Sequence, residues 1–265
     1  MAGTDRARIE TGEGPAIILV EPQLGDNIGM VARAMANFGL SELRLVNPRD
    51  GWPNQRANAA ASGADYVVEA ATVYPTLAEA IADLNFVYAT TARPRDMIKQ
   101  VLAPDEAAST MREHLAAGNG VGLLFGRERW GLNNEEVAIA DAIVTFPVNP
   151  GFASLNIAQA VLLMAHEWRR SAGGERSERQ RGEGHGFAME GTPATRRQLQ
   201  ALLDHLESAL EEAKYFYPPE RREKMWLNVT GIFTHMRLAE EEMRTMHGII
   251  AALERRWQKG TEGAD

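Results

Sequence analysis

Residues 149–160 read Asn149-Pro150-Gly151-Phe152-Ala153-Ser154-Leu155-Asn156-Ile157-Ala158-Gln159-Ala160. They follow a β-like run over 142–148 and lead into an apolar helix that lasts to about Trp168. A strand, a glycine-bearing turn and a serine at a helix start bring backbone N–H groups together, with no bulky side chain to obstruct a ligand. The same pattern is equally typical of a tight strand-to-helix connection in which Ser154 is an ordinary N-cap.

Short β-rich runs alternate with helical stretches over residues 15–168. Apolar strands with helices between them are typical of a parallel sheet that is covered on both faces. The predicted strands are 16–20, 43–46, 66–68, 86–90, 121–125 and 143–148. Before the helix at 157, helices are predicted over 29–38, around 58–62 and near 77–82.

The composition is that of an ordinary globular protein. The 265 residues are 45% apolar and 24% charged, which is enough for one large domain or two smaller ones. Cysteine is absent, so disulfides, thiolate metal sites and a cysteine nucleophile are excluded. No apolar run approaches the ~18 residues of a membrane span, and no signal-peptide pattern opens the chain. We therefore expect a cytoplasmic protein with no membrane partner.

The net charge of −8 is distributed unevenly. Residues 1–168 carry 12 basic and 20 acidic side chains, whereas 169–265 carry 16 of each. Only four of the 28 basic residues are Lys, and an arginine bias is compatible with phosphate recognition. A GC-rich genome explains the same bias equally well, so composition leaves the partner open.

The sequence divides into five parts. We predict a disordered N-terminus over 1–14, an α/β domain over 15–170, a flexible linker over 171–192, a helical extension over 193–259 and a tail over 260–265. The linker follows from a run at 171–184 in which Ala172 is the sole apolar residue. Three apolar stripes at helical spacing predict three helices in the extension, and such stripes are typical of packing rather than of a cofactor site.

Two further segments carry polar residues beside glycines. In the first, Asn27, Gly29 and Arg33 follow the first strand, but neither a P-loop nor a dinucleotide fingerprint is present. An Asn cap and a solvent-exposed Arg explain this segment as well. In the second, the strand at 121–125 runs into a turn with two glycines and an Arg-Glu-Arg alternation, where Glu128 could form merely a surface ion pair.

The order and spacing of the three segments resemble the signature motifs of the SPOUT RNA methyltransferases over about residues 15–168. More narrowly, the chain resembles the TrmJ type, bacterial tRNA (cytidine/uridine) 2′-O-methyltransferases. That resemblance rests on residues 90–93, on residues 125–132, and on residues 149–150 followed by Ser154-Leu155-Asn156. It rests also on residues 216–219 and 228–233 of the extension. It implies a parallel α/β sheet with a deep C-terminal trefoil knot, followed by a small all-α extension.

The resemblance also implies a cofactor and a set of site residues. S-adenosylmethionine is expected in the knot, held mostly by backbone groups of Thr90, Thr91, Ala92, Gly126, Phe146, Ala153, Ser154 and Leu155. Arg33 matches the family's catalytic arginine, with Asn27, Ser154 and Asn156 as further catalytic-site residues. A free Arg is effectively always protonated, so we favour orientation of the ribose hydroxyl and phosphate contact over general-base catalysis for Arg33.

The implied partners are tRNA and a second copy of the chain. The expected target is the C or U at position 32, which opens the anticodon loop. Candidate substrate contacts are Arg93, Arg127, Glu128, Arg129, Arg196, Arg197, Arg221, Arg222 and Lys224, with Arg237 and Arg244 as further phosphate contacts. The homodimer could use the helix face formed by Leu155, Ala158, Val161, Leu162, Ala165 and Trp168, unless that face simply covers its own sheet. The scattered histidines suggest no metal site.

Other functions remain open at this point. A related enzyme could methylate the wobble nucleotide or an rRNA ribose, because the motifs do not report substrate shape. A non-catalytic knotted RNA-binding dimer is a second alternative. A dinucleotide-dependent oxidoreductase is disfavoured, because its glycine fingerprint is absent.

Overall fold

A computed structural model describes residues 11–92, 99–172 and 192–261. The strands are β1 (Ala16–Val20), β2 (Leu43–Val46), β3 (Thr72–Tyr74), β4 (Phe86–Thr90), β5 (Gln100–Leu102), β6 (Val121–Phe125) and β7 (Ala142–Val144). The first seven helices are α1 (Gly25–Asn37), α2 (Gln55–Ala61), α3 (Asp65–Glu69), α4 (Leu77–Ala80), α5 (Pro104–Ala116), α6 (Asn134–Ala138) and α7 (Ile157–Ser171). The extension adds α8 (Arg196–Glu212), α9 (Arg222–Met236) and α10 (Glu240–Thr261).

The strands form one parallel sheet in the order β3-β2-β1-β6-β4-β7-β5, which confirms the predicted α/β class. Ile18, for example, lies opposite Arg44 on one side and Leu124 on the other. β6 enters between β1 and β4, and β7 enters between β4 and β5, so the chain returns twice beside β4. Strand order does not define how the loops thread, and the trefoil knot stays a prediction.

Helices cover both faces of the sheet. Alternate residues of β1 point to opposite faces, so Ile17 and Leu19 pack with α1, α2, α3, α5 and α7, whereas Ile18 packs with α4 and α6. The central strands are apolar on both faces because neither face meets water.

One predicted strand is wrong. Residues 66–68 belong to α3, and Val67 and Val68 are buried in the cluster that also holds α1. A short apolar run suits a buried helix as well as a strand, so periodicity alone could not separate them. The strands β3 and β5 and the helices α5 and α6 were not predicted, and β7 ends at Val144 rather than 148.

The limits of the α/β domain differ slightly from prediction. The Gly12 N–H donates to the Gly39 carbonyl at 3.1 Å, so the packed domain begins before residue 15. At the other end α7 continues to Ser171. Residues 1–10, most of the predicted linker (173–191) and the last tail residues (262–265) lie outside the described residues.

The three helices of the extension confirm its predicted all-α character. Thr195 caps α8: its Oγ1 accepts from the Gln198 N–H at 3.3 Å, while the Gln198 Oε1 accepts from the Thr195 N–H at 2.7 Å. Trp226 and Phe233 of α9 pack against a small buried core from α8, α10 and the turn between α9 and α10, formed by Leu199, Leu202, Leu203, Leu238, Met243 and Ile250.

The extension docks on the edge of the sheet where β4 and β7 begin. The Arg196 N–H donates to the Leu84 carbonyl at 2.8 Å, and the Arg196 guanidinium forms a buried ion pair with Asp141. The Asp141 carboxylate also accepts from the Val87 N–H at 2.7 Å. A buried ion pair is costly to break, because the remaining charge is left without a partner. This pair therefore fixes the start of α8 on the α/β domain.

A half-buried histidine in α5 links stability to pH. His114 stacks on Phe86 with ring centroids 3.6 Å apart, and its Nε2 atom has no hydrogen-bond partner within the described part of the chain. Burial, reinforced by the charge of Arg237, lowers the pKa of His114 to about 4. The unfolded chain therefore binds a proton near pH 6.5 that the folded chain binds only near 4.

We predict that His114 reduces the free energy of unfolding by up to about 1.4 kcal/mol per pH unit as pH falls from 6.5 to 4. His114→Phe keeps a ring against Phe86 but removes the titration. The part of the stability loss at low pH that is due to His114 should therefore disappear. Urea unfolding of both proteins between pH 7 and 4.5 measures the difference in slope. Equal slopes would show that His114 is protonated alike in both states.

Candidate active site

A cleft of about 320 Å³ lies at the edge where β4, β6 and β7 end, opposite the docked extension. Three segments far apart in sequence form its walls: 90–92 after β4, 125–132 after β6, and 146–160 after β7. The structure brings all eight residues predicted to hold the cofactor to this cleft, namely Thr90, Thr91, Ala92, Gly126, Phe146, Ala153, Ser154 and Leu155.

Hydrogen bonds to neighbouring strands fix the first wall. The Thr90 Oγ1 donates to the Leu124 carbonyl at 2.8 Å, and the Thr91 N–H donates to the Val144 carbonyl at 3.2 Å. The Thr145 Oγ1 donates in turn to the Thr91 carbonyl at 3.2 Å. The wall thus combines small side chains with a rigid backbone.

Gly126 is the first residue after β6 in the second wall, and the loop that follows folds directly over it. A Cβ atom at Gly126 would lie 2.1 Å from the Gly131 carbonyl carbon and 2.2 Å from the Leu132 nitrogen. The Gly131 N–H closes the loop by donating to the Arg127 carbonyl at 2.8 Å, and Gly131 itself adopts a φ of +68°. Only glycine allows such a close backbone approach at 126.

Arg127 anchors this loop instead of pointing to a substrate. Its Nε donates to Glu21 at 2.7 Å, and its two terminal nitrogens donate to the two carboxylate oxygens of Glu136 at 3.0 Å each. The hydrogen bonds that Arg127 donates, first to Glu21 and then to Glu136, raise the pKa of Arg127, and the hydrogen bond with Arg127 lowers the pKa of Glu21. Because all three guanidinium nitrogens donate to these two carboxylates, Arg127 is better assigned to holding the loop than to the predicted RNA contact.

Three motif residues from three segments join in one hydrogen-bonded chain. The Glu128 carboxylate accepts from the Asn27 Nδ2 at 3.0 Å and from the backbone N–H groups of Gln23 and Leu24 at 2.9 and 3.2 Å. The Asn156 Nδ2 then donates to the Asn27 Oδ1 at 3.1 Å. Glu128 is therefore not a surface ion pair: it satisfies donors at the start of α1, where a negative charge is favourable.

The third wall corrects the predicted helix cap. Asn156, not Ser154, caps α7: its Oδ1 accepts from the Ala158 N–H at 2.8 Å, and the Gln159 Oε1 accepts from the Asn156 N–H at 3.2 Å. Ser154 lies two residues earlier with an exposed side chain in the cleft wall. Asn156 therefore caps the helix and is linked to the site by its hydrogen bond to Asn27. The Ser154 side chain is not used as the cap and can contact a ligand.

Arg33 lies outside this cleft. It is on the exposed side of α1, and it makes no hydrogen bond or ion pair with any residue the structure describes. Asn27, two turns earlier on the same helix, is 5% exposed and belongs to the chain of motif residues. Of the four predicted catalytic residues, Ser154 lines the cleft, Asn27 and Asn156 belong to the hydrogen-bonded chain beside it, and Arg33 lies on the exposed side of α1.

The predicted substrate contacts have different surroundings. Arg196 is buried against Asp141 and holds the extension on the α/β domain, whereas Arg222 pairs with Glu207 and Glu211 within the extension. Arg93 lies outside the described residues. Four members are exposed and form no ion pair with the residues that the structure describes, namely Arg129, Arg197, Arg221 and Lys224.

Sequence reasoning missed Glu21, Glu136 and Trp130. Glu136 had a local signal, because Asn133 and Glu136 have capping-box spacing and Asn133 does cap α6. Glu21 had none: it meets Arg127 across 106 residues. Trp130 lines the cleft with 58% of its surface exposed.

Residues 11–92, 99–172 and 192–261 contain neither a metal site nor a membrane-spanning helix. In those ranges no group of three His, Asp or Glu residues is arranged to hold a metal ion. None of the helices described is long and apolar enough to cross a membrane.

The fold and the cleft place the chain in a known class of RNA-modifying proteins. The SpoU rRNA methylase family matches residues 14–166, and the chain belongs to this family. The resemblance recognised from the three motifs is thereby confirmed.

Relatives within the class match nearly the whole chain. The tRNA (cytidine/uridine/adenosine-2′-O-)-methyltransferase TrmJ of Pseudomonas aeruginosa is 36% identical over 238 residues, which are 88% of this chain and 91% of that protein. The tRNA (cytidine/uridine-2′-O-)-methyltransferase TrmJ of Escherichia coli K12 is 35% identical over 241 residues, 90% of this chain and 94% of that protein. The crystal structure of TrmJ from Z. mobilis ZM4 superposes with a TM-score of 0.80 at 48% identity and covers 91% of this chain and 100% of its own.

Proposed function

We propose that the chain is an S-adenosylmethionine-dependent tRNA ribose 2′-O-methyltransferase that acts on the C or U at position 32. The observation that carries the proposal is the hydrogen-bonded chain Glu128–Asn27–Asn156, which joins the three motif segments beside one cleft. Relatives named as tRNA 2′-O-methyltransferases, aligned over about nine-tenths of the chain, support the reaction and the class of RNA.

The cleft suits S-adenosylmethionine in size and chemistry. Its volume of about 320 Å³ falls at the lower end of small-molecule sites, and Gly126, Ala92 and Ala153 leave backbone groups accessible. When bound, the cofactor supplies a methyl group activated by its sulfonium. The protein's contribution is to hold that methyl group and the ribose hydroxyl in line.

The position of Arg33 supports a homodimer in which each active site uses both chains. Arg33 is exposed and unpaired within the described residues, and it does not line the cleft of its own chain. Met30 on α1 and Leu162 and Leu163 on α7, two helices that pack together, are exposed apolar side chains. We infer that a second copy covers these side chains and brings its own Arg33 to the cleft.

The predicted dimer face needs revision. Ala158, Val161, Ala165 and Trp168 are buried within their own domain, and Leu155 is half-buried. Of the six residues named, Leu162 alone is exposed. The interface therefore uses the outer side of α7, not the apolar stripe that covers the sheet.

In this arrangement Arg33 orients the substrate. A guanidinium stays protonated at neutral pH, so it can hold a phosphate bidentately but does not readily accept the hydroxyl proton. The buried Asn27 and the capping Asn156 keep the start of α1 fixed against α7. The extension supplies tRNA contacts from Arg197, Arg221 and Lys224, and the protein acts in the cytoplasm.

A methylation assay with transcribed tRNA tests the function. We expect one 2′-O-methyl group at position 32, S-adenosylmethionine dependence, and no product from a tRNA carrying a 2′-deoxy nucleotide at that position. Methylation at the wobble nucleotide, or of rRNA alone, would reject the proposed target while keeping the chemistry. tRNA binding without methyl transfer would favour the non-catalytic alternative.

A further inference from the structure

Trp130 is presented to solvent from the wall of the cleft. It is 58% exposed, and the guanidinium of the neighbouring Arg129 lies over its ring, 5.0 Å from the centroid. Both residues line the cleft at its open side. A Trp is a large apolar surface that proteins normally bury, so a half-exposed Trp in a binding cleft indicates a ligand contact.

The loop that carries Trp130 is held on both sides. Before it, Arg127 is fixed by Glu21 and Glu136, and Glu128 is fixed by Asn27 and two backbone N–H groups. After it, the Gly131 N–H is bonded to the Arg127 carbonyl. The indole therefore projects from a rigid base, which reduces the entropy lost when a planar ligand stacks on it.

We propose that Trp130 and Arg129 form a stacking platform for a nucleobase of the RNA substrate next to the methylated ribose. The inference rests on the proposed function and adds a specificity-determining residue to it. Nucleobases stack on aromatic side chains and on guanidinium planes, and single-stranded loops offer them unpaired. The exposed guanidinium of Arg129 lies over one face of the ring, so a base can stack on the other face or on the guanidinium plane while its phosphate pairs with the Arg129 charge.

RNA fits this platform better than the cofactor does. The residues proposed for the cofactor include half-buried side chains such as Thr90, Phe146 and Leu155, whereas Trp130 and Arg129 are exposed at the opening. The cofactor carries a positive sulfonium, and Arg129 adds a further positive charge that favours a polyanion. The local charge therefore discriminates in favour of a nucleotide.

Trp130→Ala should weaken tRNA affinity by about 5- to 150-fold, the range for loss of one stacked base. Trp130→Phe should keep it within about threefold, because a flat ring remains. The dissociation constant for S-adenosylmethionine, measured by calorimetry, should not change in either variant. Phe152→Ala is the matched control, since Phe152 is 78% exposed but does not line the cleft.

A scan of single abasic nucleotides through the anticodon loop identifies the stacked base. At one position, removal of the base should weaken tRNA binding to the wild-type protein. The same removal should not weaken tRNA binding to Trp130→Ala. Loss of cofactor affinity in Trp130→Ala would overturn the proposal in favour of adenine stacking, and a shift from dimer to monomer would overturn it in favour of a subunit contact. Unchanged tRNA affinity would overturn it outright. Failure of the proposed function is distinct, because wild type itself would then not methylate tRNA.

Discussion

Arg33→Ala should lower kcat for tRNA methylation by about 100-fold or more and leave cofactor affinity unchanged. Arg33 has no structural partner within the described residues, so its loss should not disturb the fold. The expected loss follows from misplacement of the ribose hydroxyl relative to the methyl group, for which small displacements cost about 100-fold. Single-turnover kinetics with saturating cofactor, together with calorimetry, separate the two effects.

A conservative variant and a matched control sharpen this result. Arg33→Lys keeps the charge but loses the bidentate fork, so it should recover little activity. Recovery of most activity with a shifted pH–rate profile would overturn the orienting role. Arg56→Ala removes the same charge from the neighbouring helix α2, where Arg56 forms an exposed pair with Asp26, and it should stay near wild type.

A mixed dimer tests whether Arg33 acts across the interface. One protomer carries Arg33→Ala and the other lacks a working cofactor cleft through a substitution at Gly126. If the partner supplies Arg33, the intact cleft of the first protomer regains it and activity returns. An inactive mixed dimer, confirmed by mass as a dimer, would place Arg33 in the cleft of its own chain.

Gly126→Ala should weaken S-adenosylmethionine binding by about 100-fold, which corresponds to about 3 kcal/mol, the upper range for overpacking. The added Cβ would lie 2.1 Å from backbone that has no flexible end to move aside. The loop over 127–132 must shift, and it carries Arg127, Glu128 and Trp130. Calorimetry measures the affinity, and circular dichroism checks that the sheet and helices persist.

Gly151→Ala is the control for the glycine effect. A Cβ there would meet only the Asn149 Oδ1, at an ordinary 3.5 Å, although the residue lies in the turn that leads to Ala153 and Ser154. Its cofactor affinity should stay within about twofold, in keeping with the few tenths of a kcal/mol expected away from packed sites. Equal effects of the two substitutions would show that backbone crowding at Gly126 does not govern the site.

Local pattern was sufficient for much of the fold. The continuous apolar runs of β1 and β6 predicted buried parallel strands, and the first apolar stripe of the extension predicted α8. The pattern failed at 66–68, where three apolar residues are too few to show a period. It also missed β3 and β5, edge strands of three residues each, which have too little apolar character to stand out.

Neighbouring residues of one type acquired different roles in the folded chain. Arg127 is held between Glu21 and Glu136, while Arg129, two positions later, is exposed over Trp130. In the same way Arg196 is buried with Asp141, whereas Arg197 is exposed. Residue type does not distinguish Arg127 from Arg129 or Arg196 from Arg197, because the role of each depends on which carboxylate lies within reach.

The sequence by itself determined the class of fold, the three motif segments and the family, because these depend on residue type and on spacing along the chain. The tertiary structure alone decided which polar groups meet. Glu128 reaches Asn27 across 101 residues, and Asn156 reaches it across 129, to join Asn149–Ala160 to the rest of the site. Such contacts arise only when parallel strands end at one edge, since hydrogen bonds depend on distance in space and not on separation in sequence.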